Sequence, residues 1–187
     1  MSEVYVSTDI ETDGPIPGPN SMMSLGSAVF DREGRFFDAW TANFEPLPDA
    51  KPDPGTELFW RRHPAAFDAA TAHRRPVEEA MREYRKWVEA LPGTPVFVAY
   101  PAGFDFLFVY WYLVRFTGGS PFSFSALDMK SYACAKLGKA YRKSGKGDWP
   151  AAWRKPEDGG VVEHTHVALD DAIEQGFQFM AMLRDPR

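Results

Sequence analysis

With 187 residues, 44% of them hydrophobic and 15% aromatic, the chain has the size and composition of one globular domain with a sizeable core. A net charge of −5 excludes nucleic-acid binding through overall basicity, although a local basic patch can still engage phosphates beside an acidic cluster. One cysteine, Cys134, excludes an internal disulfide and fits a reducing compartment; with no leader-like start, and with the most apolar run (residues 96–116) broken by Pro101, Gly103 and Asp105, we expect no signal peptide, no membrane span and a cytoplasmic location.

Val4, Tyr5 and Val6 lead into a strand that carries Asp9-Ile10-Glu11-Thr12. Side chains alternate along a strand, so Asp9 and Glu11 share a face, where two like charges repel unless something such as a divalent cation offsets them. Asp13-Gly14 ends this strand in a turn. Residues 24–30 read as a second strand, 31–34 as a hairpin turn and 35–44 as a third strand. Pro46, Pro48, Pro52 and Pro54 dictate an extended loop over 45–55. A short helix over 56–62 follows, with Thr56 as its N-cap and with Phe59 and Trp60 packing into the core. His63 and His73 read as surface residues.

Pro76 is placed to open a helix as an N1 proline, and Val77, Ala80, Met81, Tyr84, Trp87 and Val88 follow at helical spacing. Residues 94–99 form a short, wholly apolar strand, the type buried on both faces. Residues 103–116 read as a helix apolar nearly all round, hence deeply buried. A short strand over 124–128 precedes a helix over 129–137, with Asp128 placed to cap it. Residues 138–160 turn basic and aromatic and read as an exposed loop or lobe. His166 leads into a last helix over 168–183, with Leu169, Ala172, Ile173, Phe177 and Met180 along one face. Hairpin-linked strands followed by alternating strands and helices indicate a single α/β three-layer domain over 1–187 with a mixed sheet.

Five acidic residues and one histidine stand out on these elements. Asp9 and Glu11 lie on the first strand, Asp105 in the first turn of the apolar helix, and Asp170 and Asp171 at the start of the last, just after His166. A carboxylate in apolar surroundings is costly unless paired or metal-bound. If the strands leading to Asp9 and Asp105 are neighbours, these groups meet at one edge of the sheet. Oxygen ligands suit Mg²⁺ or Mn²⁺. Two such ions clamp the attacking and leaving oxygens of a phosphoryl transfer, and a histidine at the rim can take a proton from the attacking water.

Asp9-Ile10-Glu11-Thr12, Tyr100-Pro101-Ala102-Gly103-Phe104-Asp105 and His166-Val167-Ala168-Leu169-Asp170-Asp171-Ala172 resemble, in order and spacing, the three motifs of the DEDDh (DnaQ-like) 3′–5′ exonucleases. The resemblance implies a ribonuclease H-like fold with a mixed five-stranded central sheet flanked by helices. It implies that Asp9, Glu11, Asp105 and Asp171 hold two Mg²⁺ or Mn²⁺ ions and that His166 is the general base. Asp171 is chosen over Asp170 because the family's histidine precedes its aspartate by five places. Thr12, Ser24-Leu25-Gly26 and Phe104 would touch the terminal nucleotide. The implied reaction removes nucleoside 5′-monophosphates from the free 3′ end of single-stranded nucleic acid. Short RNA, and a homodimer, are suggested by small stand-alone members. Two departures bear on substrate grip: residues 100–103 lack the asparagine many members carry, and the segment with Pro15, Pro17 and Pro19 is longer than usual.

Other readings compete. Asp9-x-Glu11-x-Asp13-Gly14 imitates an EF-hand loop, but Asn20 stands where glutamate belongs and a strand precedes it. His164 and His166 lack the nearby third ligand of a zinc site. Asp170 reads as a helix N-terminal charge. A binding module without catalysis and a purely structural cation site remain as alternatives, though the former has no need of the full acidic set. Lys136, Lys139, Arg142, Lys143, Lys146, Arg154 and Lys155, interleaved with Tyr141, Trp149 and Trp153, form either a solvated face or a surface for single strands, where cations meet phosphates and aromatic rings meet bases. Lys143 and Trp149 are the substrate contacts the second reading selects.

Overall fold

The computed structural model describes residues 2–155 and 165–187. β1 (Glu3–Thr12), β2 (Met22–Phe30) and β3 (Phe36–Asn43) form an antiparallel meander, and Asp31 turns the β2–β3 hairpin by accepting the Arg35 N–H at 2.8 Å. α1 (Pro54–Arg62), α2 (Pro64–Thr71) and α3 (Val77–Glu89) lead to β4 (Thr94–Ala99), which runs parallel to β1. α4 (Ala102–Thr117) is followed by a two-residue β5 (Leu127–Asp128), α5 (Met129–Leu137), two 3-10 turns (Tyr141–Lys143 and Lys146–Asp148), a single turn α6 (Ala151–Arg154) and α7 (Ala168–Arg184). The sheet order is β3-β2-β1-β4-β5, the mixed five-stranded arrangement the sequence implies.

Two apolar layers sandwich this sheet. On one face Val4, Val6, Ile10, Leu25 and Phe97 pack with Tyr84 of α3 and Phe108 and Tyr112 of α4. On the other, Tyr5, Ala28, Phe30 and Val98 pack with Met129 and Ala133 of α5 and Ala172 and Phe179 of α7. Polar bonds fix the layers: Thr8, Ser27 and Tyr84 hydroxyls form a buried chain at 2.8 and 2.9 Å. Gln175 of α7 donates to the Ser7 hydroxyl and the Thr8 carbonyl at 3.2 and 3.0 Å.

Several expectations need correction. The α1 N-cap is Asp53, whose carboxylate accepts the Thr56 N–H at 3.0 Å, so the helix starts three residues earlier than a Thr56 cap allows. α2 was not expected: Pro64 restarts the helix directly after His63 ends α1. Pro76 stands one residue before α3 with an extended ψ of 127°. α4 is not buried all round, because Leu107 and Val114 are 46% and 43% exposed and Phe124 beside them is 88% exposed. The basic segment is largely exposed over 138–155, but Trp149 and Trp153 anchor it, buried in the α5/α7 core, and the Trp153 indole donates to Asp185 at 2.7 Å. The remainder of that segment, 156–160, and His164 of the H-x-H pair lie outside the described residues.

Candidate active site

β4 pairs with Glu3–Ser7, so among the described residues no strand lies beside the second half of β1 on that side. The first turn of α4 fills the gap, and Asp105 accepts the Ile10 N–H. This places Asp105 beside Asp9 and Glu11, which sit opposite Gly26 and Ser24 of β2. Asp128 braces the corner. One of its oxygens accepts the Ala102 N–H at 2.9 Å, and the other caps α5 through the Ser131 N–H at 2.7 Å. The capping role was expected; the hold on the start of α4 was not.

α7 brings the third group. Its N-terminus crosses β2 so closely that a Cβ on Gly26 would lie 2.3 Å from the Leu169 nitrogen, and a Cβ on Gly176 would meet the Phe30 ring. Asp171, 3% exposed, is thereby laid against the β1 acids. It also accepts the Thr165 N–H at 3.1 Å, tying down the turn that carries His166. His166 has a φ of 54°, a left-handed conformation uncommon for a residue with a side chain. Asp170 points elsewhere, accepting from the Thr165 hydroxyl at 3.4 Å. Glu11, His166 and Asp171 each offer a ligand atom, all within 4.8 Å of one another.

Aromatic rings wall the histidine. Phe59 of α1 stands edge-on to His166 at 5.2 Å, and His63 stands 4.9 Å from it and 4.4 Å from Phe59. His63 is therefore not a plain surface residue, and Phe59 does more than fill the core. Trp60 is buried as expected, and its indole donates to the Thr12 carbonyl at 2.9 Å, clamping α1 to the end of β1. A Phe-x-x-x-His spacing on α1 was the available signal; what it faced was set by tertiary packing.

Burial first, then mutual repulsion, shapes the electrostatics. Burial and the charges of Asp105, Glu11 and Asp171 hold the Asp9 carboxyl well above the usual range. Burial and the charges of Asp171 and Asp105 push Glu11 up to about 8. Asp105 is raised by burial and eased by hydrogen bonds from backbone N–H groups and by Lys146. Buried carboxylates that resist ionisation together accommodate a divalent cation, which replaces the missing solvation and removes the repulsion. The donor set, carboxylates with one histidine, fits a hard cation.

Most of the expected substrate contacts are buried. Leu25 is fully buried in the α3/α4 layer. Gly26 faces the start of α7, where its missing side chain permits the helix crossing. Trp149 is 3% exposed, with its indole bonded to the Ser144 carbonyl and its ring against Tyr100, so no face is left for a base. Lys143 is exposed on its 3-10 turn, Thr12 is buried, and Phe104 is half-buried against Phe108. The proline segment that follows β1 is stapled rather than loose. Asn20 accepts the Ile16 N–H at 3.0 Å and donates to the Lys51 carbonyl at 2.8 Å.

No protein-family model matches the chain. It is 32% identical over 182 residues, 95% of its own length and 90% of the relative's, to the 3′-5′ DNA exonuclease Cap18 of Escherichia coli. Among solved structures it resembles E. coli exonuclease I bound to single-stranded DNA with zinc (TM-score 0.68, 20% identity), covering 100% of this chain and 42% of that one. It also resembles the nuclease domain of 3′hExo, a DEDDh member bound to rAMP (TM-score 0.66, 8% identity), covering 98% and 92%.

Proposed function

As the chain belongs to the DEDDh 3′–5′ exonuclease family, with the ribonuclease H-like fold of its members, we propose that it hydrolyses single-stranded DNA from a free 3′ end and releases nucleoside 5′-monophosphates. The observation that carries this is the convergence of Asp9, Glu11, Asp105 and Asp171 with His166 at the open half of β1. DNA is preferred to the RNA suggested by small family members, because the relative that shares a third of its residues over 95% of this chain is a DNA exonuclease.

Asp9, Glu11 and Asp171 would hold one Mg²⁺ or Mn²⁺ ion, with Asp9 and Asp105 completing a second position. Bound there, divalent cations lower the pKa of water and neutralise charge on the phosphate. His166, held by the Thr165–Asp171 bond and the Phe59 edge, takes the proton of the attacking water. The turn aims the imidazole at the Glu11/Asp171 side, and that side is therefore where the nucleophile stands. The P–O3′ bond breaks on the opposite side, as in-line displacement requires.

Digestion of matched 5′-labelled single-stranded DNA, single-stranded RNA and blunt duplex, with Mg²⁺ or Mn²⁺ and with chelator, tests the reading. The expected result is metal-dependent shortening of single-stranded DNA one nucleotide at a time, with mononucleotide products. Binding without cleavage in either metal would overturn it in favour of a non-catalytic module.

A further inference from the structure

Lys146 opens the 3-10 turn Lys146–Asp148 and is half-buried between Gly145 and Gly147. Its backbone N–H donates to the Tyr100 hydroxyl at 3.2 Å, and its ammonium lies 5.4 Å from the centre of the same ring. Tyr100 in turn stands edge-on to buried Trp149 at 5.2 Å and immediately precedes the Pro101 corner that starts α4. The lysine is thus fixed to the element that presents Asp105. Val98 of β4 stands opposite Ser7 of β1, and two residues further along each chain come Tyr100 and Asp9, so a lysine seated on Tyr100 lies at the acidic end of β1; its charge eases Asp9 and Asp105. Lys143, by contrast, is exposed on the preceding turn.

We propose that Lys146 is a catalytic residue of the nuclease, placed on the Asp9/Asp105 side of the cluster, opposite His166, where its ammonium hydrogen-bonds the departing 3′ oxygen. This rests on the exonuclease reading and on the in-line geometry that sets the leaving oxygen across from the attacking water. As the P–O3′ bond breaks, its electron pair stays on the 3′ oxygen. The lysine remains an ammonium and stabilises that charge, and a solvent proton completes the free 3′ hydroxyl. A fixed cation aimed at charge that develops only in the transition state acts on turnover more than on binding.

The test compares wild type, Lys146→Met and Lys146→Arg in Mn²⁺ on two single-stranded DNA oligonucleotides. One is ordinary; the other carries sulfur in place of the bridging 3′ oxygen at the terminal linkage, so that the leaving thiolate needs little stabilisation. The methionine variant keeps the main-chain bond to Tyr100, and its melting temperature is measured alongside. We expect Lys146→Met to lower turnover on the order of 10²-fold on the oxygen substrate, with KM changed much less. On the sulfur substrate it should stay within about threefold of wild type, and Lys146→Arg should retain most activity on both. Equal losses on the two substrates, or no loss on either, overturn the proposal while leaving the nuclease reading standing. Wild-type protein that releases no nucleotide from either oligonucleotide overturns both.

Discussion

His63 and His166 meet edge to face with ring centroids 4.9 Å apart, one closing α1 and the other preceding α7. Phe59 lies against both rings, so three side chains from two distant segments form one aromatic wall at the proposed general base. Removal of such a supporting group costs about 10- to 100-fold in related settings. We expect His63→Ala to lower turnover about tenfold, with KM changed much less, read from steady-state kinetics on single-stranded DNA. Unchanged turnover would reduce His63 to a packing residue.

Asp9→Asn and Asp171→Asn should each reduce nuclease activity by roughly 10³-fold or more, in line with loss of a principal electrostatic element of a site. Circular dichroism should remain that of the folded protein. Each removes a repelling charge from the cluster, so the metal-free variants should melt at or above the wild-type temperature near neutral pH. Full activity of Asp9→Asn in Mg²⁺ would sink the mechanism.

The cluster makes the metal-free fold sensitive to alkali rather than to acid. Glu11 titrates near 4.5 in an unfolded chain and is pushed up to about 8 by burial and by Asp171 and Asp105 in the fold. The folded state thus holds its proton more tightly, and stability falls as pH rises from about 4.5 through 8. Burial moves Asp9 and Asp105 in the same direction. Melting curves in chelator should decline over that window, and saturating Mn²⁺ should flatten the decline. A metal-free protein that gains stability across the window contradicts this account.

Gly26→Ala places a methyl group where the α7 backbone already lies, 2.3 Å from the Leu169 nitrogen. Helix and strand must separate, at a cost of about 1–3 kcal/mol or more. Because the same helix carries Asp171, activity should fall further than stability alone accounts for. Denaturant midpoints and turnover measured on the same preparation test this; a stable, fully active variant would show that α7 can shift without disturbing the site.

Trp60→Phe keeps a ring under α1 but removes the donor to the Thr12 carbonyl. Leaving a buried acceptor without its partner costs about 1–3 kcal/mol. We expect urea unfolding to register a loss in that range, with KM for the oligonucleotide raised as the end of β1 loosens.

The candidate site residues were legible because their chemistry is local in the sequence. Asp9 and Glu11 follow from strand alternation, and Asp105 and the Asp170-Asp171 pair from acids at the starts of helices; the resemblance then chose Asp171. The residues that support them were not, because their roles arise from packing between distant segments. Asp128 reads equally well as a cap whether or not it also reaches Ala102. Trp149 and Lys146 are two members of one basic, aromatic run, and nothing in its composition says that the ring turns into the core while the lysine lies over Tyr100. Leu25 and Gly26 were named from the motif, which does not show that one side chain packs in the core and that the other position leaves room for the helix crossing.

The bonds from Gln175 to Ser7 and Thr8 span 168 and 167 residues. They hold in place the helix that supplies Asp171, 160 residues beyond Glu11 in the chain. The two halves of the proposed acidic set are therefore joined only when this long loop has closed. On the proposed mechanism, hydrolysis then reports that α7 has docked on β1.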